Sequence, residues 1–462
     1  MQGLYPLWIL RVKTFNYCMM KMNRICMPVV MLLAFAGGLT SCSSESDDVI
    51  GPKGSDVIEE KACAVNMLYP EKSIRMTAEQ SYMVHRNNLF SLNLFRNISE
   101  KDGNKSSFCS PLSVTYVLGM LNAGAVGNTQ EEIQDVLGFR GCDPQAINSY
   151  CEKLIKTAPQ VDPKVTLNIA NSIFVNNAIG KIAQPYQQEM ERYYEAMVED
   201  MDFRNVRNVD KINGWCKEKT HDMIPTILDD NEFSSRVVMF LLNAIYFKAD
   251  WAEKFDKKYT QEADFQTPSG KKKVEMMHQK VLTTYGESGD YTSLSLPFGD
   301  GDFCMKLLLP KEGKSIDDVL DRLHHEMSGE KSLWPEELQE ENCEVDVKVP
   351  RWETDSKIPL IDILKKMGIR QVFDPVEAEL TKMTERGTLY VSMMKQLAKI
   401  EVNETGSKAA AVTVAGVNYT AYIPSEPVEP RKVEFHANRP FVYLITERGS
   451  NVVFFMGKYT GE

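Results

Sequence analysis

Histidine is scarce in this chain, six in 462 residues, and its placing leaves little room for metal chemistry. His324-His325-Glu326 lacks the second histidine that a metalloprotease helix presents one turn further on, so these side chains read as surface or core histidines. No CxxC pair or metal-finger spacing occurs among the cysteines beyond Cys42, namely Cys63, Cys109, Cys142, Cys151, Cys216, Cys304 and Cys343. Their number is odd, several sit inside apolar runs as small core residues, and a Cys142–Cys151 bridge is the one pairing considered for an exported chain. A P-loop is missing too, because Lys311-Glu312-Gly313-Lys314-Ser315 has Leu308 where the first glycine would stand. No G-x-S-x-G nucleophile elbow is present, so a catalytic triad would have to be assembled from distant positions. No catalytic residue and no cofactor is assigned. Basic residues are outnumbered by acidic ones, 53 against 64. That balance disfavours general nucleic-acid binding, since phosphate contacts need clustered Lys and Arg.

Long hydrophobic runs are also few, and the most apolar one lies near the start. Lys21 and Arg24 precede Met27 to Gly38, a run too short to span a bilayer comfortably but suited to the core of a signal peptide. Leu39-Thr40-Ser41-Cys42 follows, and it is similar to the lipobox of bacterial lipoproteins. Residues 1–41 are therefore expected to be a cleaved signal, with Met1 to Cys18 as an upstream extension and Met19, Met20 or Met22 as the start. The alternative is a transit sequence or an uncleaved anchor within Met1 to Leu39. Cys42 is the expected lipidation site, which would tether the protein to a membrane without spanning it. Ser43 to Ser55 has the polar, Gly/Pro-containing composition of a leash, so 42–78 reads as a lipidated linker and 79–462 as the folded part.

That folded part reads as mixed α and β. Helical periodicity runs through Ser81 to Phe95, Pro111 to Ala123 and Val209 to Leu228, while Glu344 to Val349 alternates like a half-buried strand. Val237 to Phe247 is too apolar for an exposed strand and reads as the centre of a sheet ending near Trp251. Length alone suggests roughly three domains, yet no repeat and no low-complexity tract divides the chain.

The stretch Glu404 to Thr413, E-T-G-S-K-A-A-A-V-T, supports two readings. Gly406 and Ser407 ahead of Lys408, Ala409, Ala410 and Ala411 look like a capped helix start. Read as a strand, Ser407, Ala409, Ala411 and Thr413 share one face, and all four are small enough to slide between two existing strands. Alanine is a poor resident strand former, so the pattern suits a strand that arrives late.

The flanks decide between them. The run I400-E-V-N-E-T-G-S-K-A-A-A-V-T413 resembles the hinge of the serpin family, and F435-H-A-N-R-P-F-V-Y-L-I445 with V452-V-F-F-M-G-K458 resembles its C-terminal strands. F108-C-S-P-L-S-V114, L118-G-M-L-N-A-G-A-V-G-N-T-Q-E-E-I133, L167-N-I-A-N-S-I-F-V175, N243-A-I-Y-F-K-A-D-W251, V274-E-M-M-H278, V347-K-V-P-R-W352 and L364-K-K-M-G-I369 look like further family motifs, in order, from about residue 80 to the end.

The resemblance implies an α+β single domain with a large central β-sheet, additional sheets, surrounding helices and an exposed reactive-centre loop over about 405–432. It implies a monomeric inhibitor of serine-type endopeptidases, not an enzyme, that traps its target as a suicide substrate by loop cleavage and insertion. A non-inhibitory serpin-fold carrier lipoprotein is the alternative. Family spacing places the reactive bond at Thr420–Ala421, with Tyr419 and Tyr422 as neighbouring alternatives, while S425-E-P-V-E-P-R431 looks like extra loop length. The hinge would comprise Glu404, Gly406, Ser407, Ala409, Ala410, Ala411 and Thr413, with Glu404 ion-paired to Arg351 in an exposed bridge contributing about 0 to 1 kcal/mol. A polar cluster beneath the opening sheet would use Ser110, Ser113 and Asn243, with Gln396 where the family usually has histidine, so no pH response is expected there. Lys408 stands where an acid is common, on the outward face. With no Lys or Arg between Lys408 and Arg431, the expected targets are elastase-, subtilisin- or chymotrypsin-like. The expected location is exported and lipid-anchored, at the cell surface or in the periplasm, with no nucleic-acid partner.

Overall fold

The computed structural model describes residues 73–328, 339–407 and 429–462. Nine strands form one sheet, running in the order Ser107–Cys109, Val453–Tyr459, Phe441–Glu447, Phe303–Pro310, Tyr291–Phe298, Gly270–Glu287, Gln339–Pro350 and Lys432–His436, with Gln261–Thr267 paired to Gly270–Glu287. A six-stranded sheet runs Trp352–Pro359, Met393–Asn403, Gly406–Ser407, Met239–Asp250, Val165–Asn176 and Met197–Met201. A third, two-stranded piece joins Thr384–Arg386 to Lys181–Ile182. Eight helices surround these sheets among the described residues. The architecture is α+β, as expected.

Sequence pattern explains where each element lies. Met239–Asp250 is buried along nearly its whole length because both of its faces are covered. On one side lies the main core; on the other, helix Arg207–Lys219 contributes Ile212 and Trp215 to a second cluster with Phe174, Phe203, Phe233 and Phe240. Trp352–Pro359 is an edge strand and alternates strictly, with Trp352, Thr354, Ser356 and Ile358 inward and charged residues between them. Helix Pro111–Gly124 is apolar all round and buried throughout, with Ser110 accepting from the Ser113 N–H as its N-cap. The Ser81 to Phe95 periodicity belongs to a longer helix, Ala78–Asp102, started by a capping box between Thr77 and Gln80. Glu344 to Val349 lies inside strand Gln339–Pro350.

One expectation needs correction. The helix read over Val209 to Leu228 stops at Lys219. His221 and Asp222 take left-handed φ of 49° and 65°. The Thr220 hydroxyl then accepts from the Ile224 N–H at 3.0 Å, and Pro225 blocks any restart. Cys142 and Cys151 are free thiols, with Cys151 turned into the core from helix Pro144–Val161. Burial pushes the Cys151 thiol up to about 12, and likewise that of Cys216, so neither is a ready nucleophile.

Candidate functional site

The six-stranded sheet is only partly closed along one seam. Met239–Asp250 and Met393–Asn403 are parallel neighbours, and they pair from Met393 opposite Phe240 to Gln396 opposite Asn243. At the other end Gly406–Ser407 stands between them, antiparallel to both: Ser407 faces Val402 and Ala249, and Gly406 faces Asn403 and Asp250. In between, among the described residues, Met393–Asn403 pairs only with Trp352–Pro359 on its far side.

The wedge is held by the turn that leads into it. Asn403 Oδ1 accepts from the Thr405 N–H at 3.0 Å and from its hydroxyl at 2.7 Å, which reverses the chain after Met393–Asn403. Gly406 follows at φ 144°, where a Cβ would lie 2.2 Å from the Ala249 carbonyl oxygen, so the position demands glycine. Ser407 is buried and extended, with its hydroxyl 3.4 Å from the Phe247 carbonyl. Gly406 and Ser407 are thus strand residues, and the helix read from Lys408 onward lies outside the described residues. The backbone ladder to Ala249 and Val402 fixes these two residues as extended.

Trp251 clamps the same turn. Its N–H donates to the Thr405 carbonyl at 2.8 Å, its indole Nε1 donates to the Asn403 carbonyl at 2.9 Å, and its ring stacks on Phe298 with centroids 4.4 Å apart. The Phe255 N–H takes the Glu404 carbonyl at 2.9 Å. The Glu404 carboxylate is buried, with a side chain only 3% exposed. One oxygen accepts from the Thr260 hydroxyl at 2.9 Å; the other lies 3.8 Å from Arg351 Nε, close enough for an ion pair but not for a hydrogen bond. Arg351 is 41% exposed and also reaches Glu275 at 3.2 Å. The structure thus brings Arg351 and Glu404 together, but the carboxylate end of the pair is not exposed.

The polar cluster at the closed end is assembled in part. Gln396 accepts from the Ser110 N–H at 2.9 Å and donates to the Ser110 carbonyl at 2.8 Å. The Ser110 hydroxyl donates to the Phe454 carbonyl at 2.8 Å, which ties strand, helix and the larger sheet together. Asn243 sits opposite Gln396 in register, yet its amide donates to Asn171 at 2.6 Å, and Asn171 in turn donates to the Tyr194 carbonyl. Among the described residues, the Ser113 hydroxyl and the Asn243 side-chain Oδ1 have no hydrogen-bond partner. Asn171, Thr260 and the Trp251 indole were missed in the sequence reading of the site. Asn171 and Trp251 lie within motifs quoted above, whereas Thr260 carries no local signal.

Ala409, Ala410, Ala411, Thr413, Tyr419, Thr420, Ala421, Tyr422, Lys408, Cys42 and Cys63 lie outside the described residues. Among the described residues no group of three His, Cys, Asp or Glu is placed to hold a metal ion. No described helix is long and apolar enough to cross a membrane.

A family model described as Serpin (serine protease inhibitor) matches residues 85–461. A leukocyte elastase inhibitor from Xenopus tropicalis is 30% identical over 381 residues, covering 80% of this chain and 97% of that protein. Serpin B3 from Homo sapiens is 29% identical over 395 residues, covering 81% and 98%. Among solved structures, the thermophilic serpin tengpin in its native state aligns with a TM-score of 0.71 at 26% identity, over 85% of this chain and 96% of that one. Human thyroxine-binding globulin complexed with its hormone aligns with a TM-score of 0.70 at 27% identity, over 82% and 98%. With a half-open seam in the sheet, a strand begun within it and a family match spanning nearly the whole described fold, the chain belongs to the serpin family.

Proposed function

We propose that this protein inhibits serine-type endopeptidases as a suicide substrate. The observation that carries this reading is the register of the wedge. Ser407 faces Val402 and Ala249; continued residue by residue, that register would set Ala409 opposite Ile400 and Phe247, Ala411 opposite Ala398 and Ile245, and Thr413 opposite Gln396 and Asn243. Every inward position of the arriving strand is small, and Ile400, Ala398 and Gln396 are already buried on that face. Lys408, facing outward, would stand between Glu401 and Lys248. A target protease attacks a bond near Thr420–Ala421. Its serine oxygen forms an ester with the carbonyl carbon, the C–N bond breaks, and the new amine leaves with the C-terminal piece. The freed strand then fills the seam and carries the acyl-enzyme along before water can hydrolyse the ester. The expected targets are elastase-, subtilisin- or chymotrypsin-like, and relatives named as leukocyte elastase inhibitors support the first of these. The protein acts as a monomer, exported and held to a membrane through lipid on Cys42; the leash read as 42–78 ends sooner, since Ile74 is buried in the core and Thr77 caps the first helix.

Incubation with a panel of such proteases should give an SDS-stable covalent band, and mass spectrometry of the released peptide should place the dominant cut between Val417 and Ile423. Complete cleavage with no covalent band across the panel would favour the second reading, a serpin-fold carrier, for which the likeness to a thyroxine-binding globulin complex speaks.

A further inference from the structure

Arg431 is the first basic residue after Lys408. It is also where the chain rejoins the nine-stranded sheet. Its carbonyl accepts from the Glu344 N–H at 2.9 Å, and from Lys432 to His436 the chain runs parallel to Gln339–Pro350 as an edge strand. Its guanidinium is forked between two carboxylates: Nη1 lies 2.7 Å from Glu341 Oε1, and Nη2 lies 2.7 Å from Glu287 Oε1. The same group lies over the Tyr285 ring, 6.0 Å from its centroid. The register explains the cradle. Glu341 and Tyr285 are direct partners on adjacent strands, and Glu287 follows two residues after Tyr285 on the same face. Each ion pair is about half exposed and weak alone, but both act on one planar group, so a single ordered side chain serves two bonds.

A trypsin-like protease must draw an arginine into a pocket with a carboxylate at its base, and it must bind the neighbouring backbone in extended, unpaired form. At Arg431 two local carboxylates and the sheet already hold both.

We propose that the Glu287–Arg431–Glu341 fork makes Arg431 a specificity-determining residue, withdrawing the one trypsin-type residue of the 409–431 segment from attack. The proposal rests on the inhibitor reading for its functional meaning. Arg431 lies 24 residues beyond Ser407, whereas the strand bordering the seam, Met239–Asp250, has 12 residues. At about 3.3 Å per residue the tether would be roughly 80 Å long against a seam of roughly 40 Å. A protease acylated at Arg431 would hang on tens of ångströms of slack. Insertion would not press it against the body, its ester would hydrolyse, and inhibitor would be lost without a protease being trapped. Sequestering Arg431 removes this wasteful bond, and Lys432 beside it is already paired into the strand opposite Glu344.

Native-state trypsin digestion of the full chain tests this, with the fragment beginning at Lys432 followed by mass spectrometry. We expect little of it from the parent and release at least tenfold faster from E287Q/E341Q. In E287Q/E341Q/R431Q that cut should disappear, which separates exposure of Arg431 from general loosening of the strand. Equal resistance of parent and E287Q/E341Q would overturn the proposal by showing that strand pairing alone protects the bond. So would ready cleavage of the parent after Arg431. The readout needs no inhibitory activity, and the covalent-band assay with an elastase-like protease tests the inhibitor reading separately.

Discussion

A carboxylate as buried as that of Glu404 has to be compensated, and here the compensation is uneven: one short hydrogen bond from Thr260 and one long ion pair with Arg351. Glu404→Lys would place an ammonium in this pocket beside the guanidinium, leaving the turn that seats Ser407 with an unpaired buried charge. The loss should be about 3 to 5 kcal/mol, well above the 0 to 1 kcal/mol of an exposed bridge. We expect the variant to lose monomer on mild heating, followed by size-exclusion chromatography, as opened seams accept loops from other molecules; an unchanged monomer fraction would count against the clamp. Ser407 makes a second prediction. It is already within the sheet, so Ser407→Arg would expel the seated segment as well as block further entry, at a cost of several kcal/mol. The variant should be cut as a substrate and form little covalent complex; full inhibitory stoichiometry would sink the insertion mechanism. Gly406 and Ser407 were legible in the sequence, and the fold accounts for both: a left-handed turn against the Ala249 carbonyl needs glycine, and a position between Val402 and Ala249 needs a small side chain. The burial of Glu404 was not, since it depends on Thr260, Phe255 and Trp251 converging from another part of the chain.

At the scale of elements, the segment between helix Arg207–Lys219 and strand Met239–Asp250 crosses the strands that border the seam. Asn213 fixes it to the helix, accepting from the Ile227 and Leu228 N–H groups and donating to the Leu228 carbonyl. Asp229 pairs with Lys357 at 2.9 Å, and Glu232 pairs with Lys395 on Met393–Asn403, where the Lys395 side chain is 5% exposed. Burial pulls the Lys395 amine below its ordinary range even though Glu232 pushes it up. On Glu232 burial acts upward, but the hydrogen bond from Lys395 and the charges around it win, and its carboxyl is held low. Both ties lie on one side of the seam, on Met393–Asn403 and its neighbour Trp352–Pro359, while the segment itself runs on into Met239–Asp250 on the other side. Glu232→Gln should lower the melting temperature by a few degrees, about 1 to 3 kcal/mol, and speed the loss of inhibitory monomer. Because the folded Glu232 carboxyl sits below its unfolded value, its contribution is present above that unfolded value and is lost as pH falls through the folded one. The deficit of the variant should accordingly be full at neutral pH and shrink in acid below about pH 4.5. A deficit that persists unchanged at pH 3 would show that Glu232 acts through packing. The sequence gives this region away only in part: the apolar strand after it was readable from Val237 to Phe247, whereas the helix before it was overextended because left-handed His221 and Asp222 follow no periodicity. The ties from Glu232 and Asp229 link residues more than a hundred positions apart, and no local pattern announces them.

At the scale of the whole molecule, the described residues leave an unpaired stretch in the sheet between the Ser407 wedge and the closed end of the seam. Extending the register of Ser407 as far as Met393 and Phe240 would seat Lys408 to Gly416, giving each residue partners on both sides and separating the four residue pairs from Met393–Phe240 to Gln396–Asn243. The net gain is about a dozen backbone hydrogen bonds, on the order of 10 kcal/mol at about 1 kcal/mol each. For a folded part of this size the unfolding entropy is about 0.8 kcal/mol/K, so a gain of that order should raise the melting temperature by roughly 10 °C or more. On the proposed mechanism the uncleaved form persists because opening the seam must first separate the four pairs from Met393 to Gln396 and break the Gln396–Ser110 bonds and the Glu232–Lys395 tie, which would be a kinetic barrier. We therefore expect that cutting the chain anywhere from Val417 to Ile423 with a protease that is not trapped converts the protein to a more heat-stable form, read by calorimetry on the cleaved and intact proteins side by side. Ordinary nicking of a surface loop leaves stability unchanged or lowers it, because it frees two chain ends without adding contacts. A cleaved form that melts at or below the intact protein would mean that the seam never fills, and the fold would then serve as a carrier.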